Sequence, residues 1–256
     1  MASKSELICL IEQYRSFVQE MRKSGEPLVI SEKMLTTWIF HESMIEGRRF
    51  ETQEIQTTLK HEDKKHPVYM KLVFDEIRAL QKGIESVVQW SQQGNSVLSL
   101  SRFKALHKII SATDAEAGTF RKNSPVHRDY QQEICNHLKV QPMLKDFLDE
   151  LNQKVEANPY DLVNIVVDAH MQLMHIYPFR RLPGSVIRLF CNLVLLANDY
   201  PPIIITAQEK GEYYAAIAEG KTYQIHQVFK KSIERFLSLN EDFLLTTSKA
   251  QLVQAN

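Results

Sequence analysis

The chain has 256 residues, 44% of them apolar and 24% charged, a balance that supports a packed core and excludes a disordered chain. Its 31 basic and 31 acidic side chains cancel. No global field therefore draws it to nucleic acid or an anionic membrane, and any charged site has to be a local patch. Cys9, Cys135 and Cys191 are far apart and form no CxxC pair, so neither a zinc ribbon nor a disulfide framework is supported and a reducing cytosol is the expected setting. No apolar run nears the roughly 20 residues of a membrane helix, and Glu6 and Glu12 come too early for a signal peptide. A secreted effector with a non-cleaved export signal would read the same way.

Along the chain, apolar residues recur at about 3.6 positions. Leu7, Leu10, Ile11, Tyr14, Phe17, Val18 and Met21 form one stripe and predict an N-terminal helix within residues 1–30. Ser31 is a candidate N-cap ahead of Met34, Leu35, Trp38 and Ile39. The mixed-charge run His61–His66 reads as a solvated loop. Pro67 then opens a long helix through Val73, Ile77, Leu80 and Ile84 toward Trp90. Trp38 and Trp90 lie on apolar faces and are expected in the core. The nearest thing to a strand is Thr119–Arg128, which Pro125 would confine to an edge or hairpin. Further helices are expected at Arg102–Ser111, Pro142–Val155, Asp161–Met174, Gly184–Ala197 and Tyr223–Leu237, before a polar tail after Leu244.

Several common chemistries are missing. There is no GxGxxG and no GxxxxGK[ST] loop. His170 and His175 are five apart, about 140° around a helix, and cannot share one metal from one face. No HExxH, nucleophile elbow or paired cysteine–histidine arrangement is present, and no metal site is expected.

One segment carries more. Ala169–Arg188 reads AHMQLMHIYPFRRLPGSVIR, and its core, Tyr177–Arg188, resembles the HPFxxGNGRxxR signature of the Fic (Fido) family. An apolar helix and a Tyr200-Pro201-Pro202 turn follow, as in that family. Leu106-His107 and then Gly118-Thr119-Phe120-Arg121 resemble its helix and GxFR entry to a target-docking flap, with Val126 beyond. Glu212–Ile217 resembles a late YxxAL helix, and Phe40–Gly47 resembles the inhibitory helix of members that carry one. The resemblance implies an all-α, Fic-type helical bundle with a small β-hairpin flap. Its bounds would be an N-terminal helix at 1–30, a Fic-like domain at 31–240 that includes an inhibitory-helix-like segment at 31–47, and a tail at 241–256.

In active members, the resemblance implies, the motif histidine is a general base, the acid holds Mg²⁺, and the glycine–asparagine turn and two arginines bind phosphate. Here Tyr177 stands in place of the histidine. Its ordinary pKa of about 10 leaves roughly one phenolate per thousand near neutrality, and losing a matched base costs roughly 10²–10⁴-fold. Arg181 stands where the metal-binding acid would be, and a guanidinium cannot ligate Mg²⁺. Leu182 and Pro183 replace the turn, and proline removes an N–H donor. Ser185 replaces the first arginine, while Gly184 and Arg188 remain.

AMP transfer by the family mechanism is therefore not expected. No cofactor is expected, and a phosphate-containing ligand would bind without Mg²⁺. From Ala169 to Asn198 the only charged side chains are Arg180, Arg181 and Arg188. They read either as an anion site with Gly184 and Ser185 or as solvated and ion-paired groups. Glu46 and Arg188 form a candidate ion pair, regulatory or structural. Phe120, Arg121 and Val126 belong to a flap that either docks a target or is merely exposed. The expected role is a protein-binding or regulatory pseudoenzyme. The alternatives are a repurposed, metal-independent transferase acting on an anionic small molecule, and a homodimeric scaffold built on the first helix.

Overall fold

The computed structural model describes residues 4–60, 70–124 and 133–239. Ten α-helices run through them: α1 (Lys4–Ser24), α2 (Glu32–Ile45), α3 (Thr52–Lys60), α4 (Lys71–Ser91), α5 (Leu100–Ile110), α6 (Val140–Ala157), α7 (Leu162–Ile176), α8 (Pro183–Ala197), α9 (Lys210–Ala218) and α10 (Thr222–Leu239). No described helix is long and apolar enough to cross a membrane.

Local chemistry sets several of these boundaries. The Ser31 hydroxyl accepts from Met34 N–H at 3.2 Å and starts α2. Ser99 does the same for Arg102 at 3.3 Å, so α5 begins two residues before the first residue that periodicity indicates. The short α3 escapes a periodicity reading because only Ile55 and Leu59 mark its buried side. Its first turn is secured by Glu54, whose carboxylate accepts from Glu51 N–H at 2.8 Å. Pro67, the 61–66 run and the tail after Leu244 lie outside the described residues.

Every residue of α8 from Pro183 to Leu196 is buried. A helix buried on all sides has to sit inside a bundle, and α8 is enclosed by α4, α5 and α7. Gly83 of α4 lets α5 pack close against it, because a Cβ there would collide with Ile110 of α5. Leu7, Ile11, Tyr14 and Val18 of α1 join the same core as the signature helices. Arg22 fastens the end of α1 to that of α8, donating to Leu196 O at 2.9 Å and pairing with Asp199 at 2.7 Å.

The hairpin flap needs correction. Among the described residues there is no strand, and residues 119–124 form irregular backbone. The Arg121 N–H, which a hairpin would place in a ladder or in solvent, donates instead to Pro178 O at 3.0 Å. The flap backbone is thereby tied to the loop between α7 and α8. Val126 and the rest of the expected hairpin lie outside the described residues.

Candidate functional site

The loop joining α7 to α8 is bracketed by two left-handed, non-glycine residues. Tyr177 (φ 46°, ψ 65°) ends α7, its N–H donating to Leu173 O at 2.8 Å. Leu182 (φ 52°, ψ 32°) caps α8, with Pro183 as the first helical residue. Each such conformation costs about 1–3 kcal/mol and persists only where its surroundings hold it.

Arg121 and His107 supply that hold. The buried guanidinium of Arg121 donates to Tyr177 O (2.6 Å), Ile176 O (3.2 Å), Cys135 O (2.6 Å) and Asn123 O (2.8 Å). It therefore satisfies the carbonyls at the negative end of α7. His107 Nδ1 accepts from Gly118 N–H at 2.8 Å, which puts the ring proton on Nε2, and Nε2 donates to Arg181 O at 3.0 Å. The ring stacks on Phe179 with centroids 3.8 Å apart, and burial lowers its pKa. Phe120 packs on the same Phe179 ring at 5.5 Å. Arg121 and Phe120 thus build the loop from within.

Arg188, on the second turn of α8, is buried at 5% side-chain exposure and fully engaged. Its Nε donates to both Glu42 carboxylate oxygens (3.0 and 3.1 Å), its Nη2 to Glu42 and to Glu46 (2.6 Å), and its Nη1 to Tyr213 Oη (3.3 Å). The Ser185 hydroxyl donates to Glu42 at 2.7 Å. His170 Nε2 lies 2.8 Å from Tyr213 Oη, while its Nδ1 is buried without a partner among the described residues.

Desolvation opposes the charge on Arg188, but Glu42 first, then Tyr213 and Glu46, hold its pKa well above the usual value. Desolvation and, secondarily, the Arg188 charge push His170 down to about 3, so it is neutral. Burial pushes the Tyr213 phenol up and the Cys191 thiol up to about 12, leaving neither an ionised nucleophile near pH 7.

The expected site residues do not converge on one anion. Tyr177 is buried at the helix terminus, with the Arg121 guanidinium on its carbonyl. Arg180 is exposed. Arg181 is 47% exposed and lies 3.7 Å from Glu76 and 4.0 Å from Asp114, acids outside the Arg188 cluster. Gly184 and Ser185 do adjoin Arg188. The space there, lined by Glu42, Glu46, Arg48, Leu182 and Ser185, measures about 10 Å³, near the least that holds one water.

Glu42, Tyr213, His170 and His107 are the site residues that sequence reasoning passed over. A signal existed for Glu42: it lies one turn before Glu46 and so shares its helical face. Nothing local marked Tyr213 as a partner of Arg188.

A helical bundle whose innermost helix follows a motif loop, with a glutamate-bearing helix closing on the motif arginine, has the architecture of a Fic domain. No family model matches the chain. It is 33% identical over 124 residues to the protein adenylyltransferase Fic of Drosophila mojavensis, covering 46% of this chain and 23% of that protein. To the protein adenylyltransferase fic-1 of Caenorhabditis elegans it is 27% identical over 129 residues, covering 47% and 23%. Among solved structures, a Fic-domain-containing signaling protein from Bacteroides thetaiotaomicron superposes with a TM-score of 0.74 at 17% identity, covering 91% of this chain and 94% of that one. Fic-1 of C. elegans gives 0.64 at 19% identity, covering 93% and 73%. At such identities the structures speak to the fold alone, while the sequence matches point to the same family. The sequence matches and the shared fold together support kinship with the Fic family. The matched stretch spans about a quarter of the length of these curated relatives.

Proposed function

We propose that this chain is a Fic-fold module that does not carry out metal-assisted AMP transfer and acts through a protein partner, as a binding or regulatory pseudoenzyme. The occupation of Arg188 carries the reading. Its donors are taken by Glu42, Glu46 and Tyr213 inside the core, where the family resemblance would have it bind phosphate. Tyr177 and Arg181 add to the case, because a phenol stands where the chemistry would need an imidazole base and a guanidinium repels a divalent cation. Adenylyltransferase is the activity named for relatives that share only a part of their length with this chain.

The alternative, a metal-independent transferase acting on a phosphorylated or carboxylated ligand, has the exposure of Arg180 and Arg181 in its favour. It would also require Arg188 to leave two carboxylates. The test is incubation of the purified chain with labelled ATP, Mg²⁺ or Mn²⁺, and cell lysate. Labelling no higher than in a Tyr177→Phe variant is expected; metal-dependent labelling above that control would defeat the proposal.

A further inference from the structure

About 18 Å along α8 from Gly184, at 1.5 Å per residue, Leu196 forms part of the wall of an apolar cavity of about 300 Å³. Tyr14 and Phe17 of α1, Trp38 of α2, Val88 of α4 and Phe236 of α10 complete the wall. That size and lining match the small end of ordinary ligand pockets. Two of the most exposed large apolar residues among those described, Val29 (75%) and Leu239 (70%), stand on its rim. Trp38 buries its indole N–H with no acceptor among the described residues, leaving a donor in the wall unused.

A second space of about 140 Å³ adjoins the cavity, with Ser31, Met34, Phe236 and Leu239 lining both. Lys33, His41 and Arg235 line the second space and not the first. Among the described residues, no aspartate or glutamate lines either one. Arg235 is committed to Glu209 at 3.0 Å, and burial and then the Arg235 charge lower the His41 pKa, leaving it neutral near pH 7. Lys33 is exposed and makes no ion pair with a described residue. One end of the slot is therefore apolar, and the other carries an uncommitted ammonium group.

We propose that this slot binds an amphiphilic monocarboxylate of the acyl-chain type. Its tail lies among Phe17, Trp38, Val88, Leu196 and Phe236, and its carboxylate lies at Lys33. A neutral hydrocarbon would leave Lys33 unused, and a cationic amphiphile would meet the like charge of Lys33, Glu209 being already paired with Arg235. The slot shares no residue with the Arg188 cluster, so the outcome here and the outcome of the AMP-transfer test are independent.

Decanoate and decylammonium, each below micelle formation, serve as probes for calorimetry on the unaltered chain. A Trp90→Phe variant, which leaves Trp38 as the sole tryptophan, adds a fluorescence signal from the wall itself. Decanoate should bind saturably and shift the Trp38 emission. Decylammonium, and decanoate with a Lys33→Glu variant of unchanged melting temperature, should each bind at least about tenfold more weakly, as losing or reversing one ionic contact would require. Absence of saturable decanoate binding overturns the proposal, as does equal binding of the two probes or an unaffected Lys33→Glu variant. A dimer that forms without decanoate and blocks its binding would assign the face to a second copy and equally overturn it.

Discussion

Gly184 lies so close under Glu46 that a Cβ at position 184 would stand 2.5 Å from Glu46 Oε1 and 2.9 Å from Arg188 Nη1. The missing side chain is what allows the Glu46 carboxylate, at the C-terminal cap of α2, to reach the guanidinium of α8. Alanine ordinarily favours a helix over glycine by roughly 0.5–1 kcal/mol. Here the sign should reverse. Gly184→Ala should destabilise by about 1–3 kcal/mol, the usual cost of overpacking. Urea unfolding of the variant measures this, and a gain in stability would mean that α2 and α8 do not meet as described.

Glu42 and Glu46 divide the hold on Arg188 unequally. Glu42 receives both Nε and Nη2 and also the Ser185 hydroxyl, whereas Glu46 receives one bond from Nη2. Their side chains are 6% and 13% exposed. Glu42→Ala breaks the deeper pair and should cost about 3–5 kcal/mol. Glu46→Ala removes a single charged hydrogen bond and should cost about 1.5–3 kcal/mol. Equal losses on denaturation, or a larger loss at Glu46, would contradict this ranking.

Acid should weaken the fold through its buried imidazoles. The pKa of His170 is about 3 in the folded chain and about 6.5 when unfolded. Between these values the unfolded state holds the extra proton, so stability falls as pH falls. The stabilisation is complete above about pH 6.5 and is lost at roughly 1.4 kcal/mol per pH unit on the way toward pH 3. His107, lowered in the same direction by burial, adds to the slope in the upper part of that window. A His170→Phe variant should show a correspondingly shallower dependence in denaturation curves taken from pH 7 to 4. An identical slope would show that His170 is not kept neutral.

The fold was open to reading from sequence wherever one face of a helix carried the information. The α1 stripe, the Ser31 cap and the largely apolar α8 each follow from short-range periodicity and local hydrogen bonding. Arg121 was harder to read. In sequence it lies in the segment expected to be a flap that either docks a target or is merely exposed. In the structure its guanidinium is buried on the carbonyls of Tyr177, Ile176 and Cys135. Charge alone does not reveal that a helix end and a neighbouring turn supply enough acceptors to bury a cation without a carboxylate.

The sequence by itself determined the helical class, the loop between α7 and α8, and the presence of Glu46 and Arg188 as opposite charges available for pairing. It also placed Glu42 one turn from Glu46, because residues four apart share a helical face. Only the tertiary structure decided which cation that face would meet, bringing Glu42 against Arg188 across 146 positions and Tyr213 against it across 25. Such pairings depend on how helices pack, and packing is set by the summed burial of many apolar side chains, not by any residue of the pair itself.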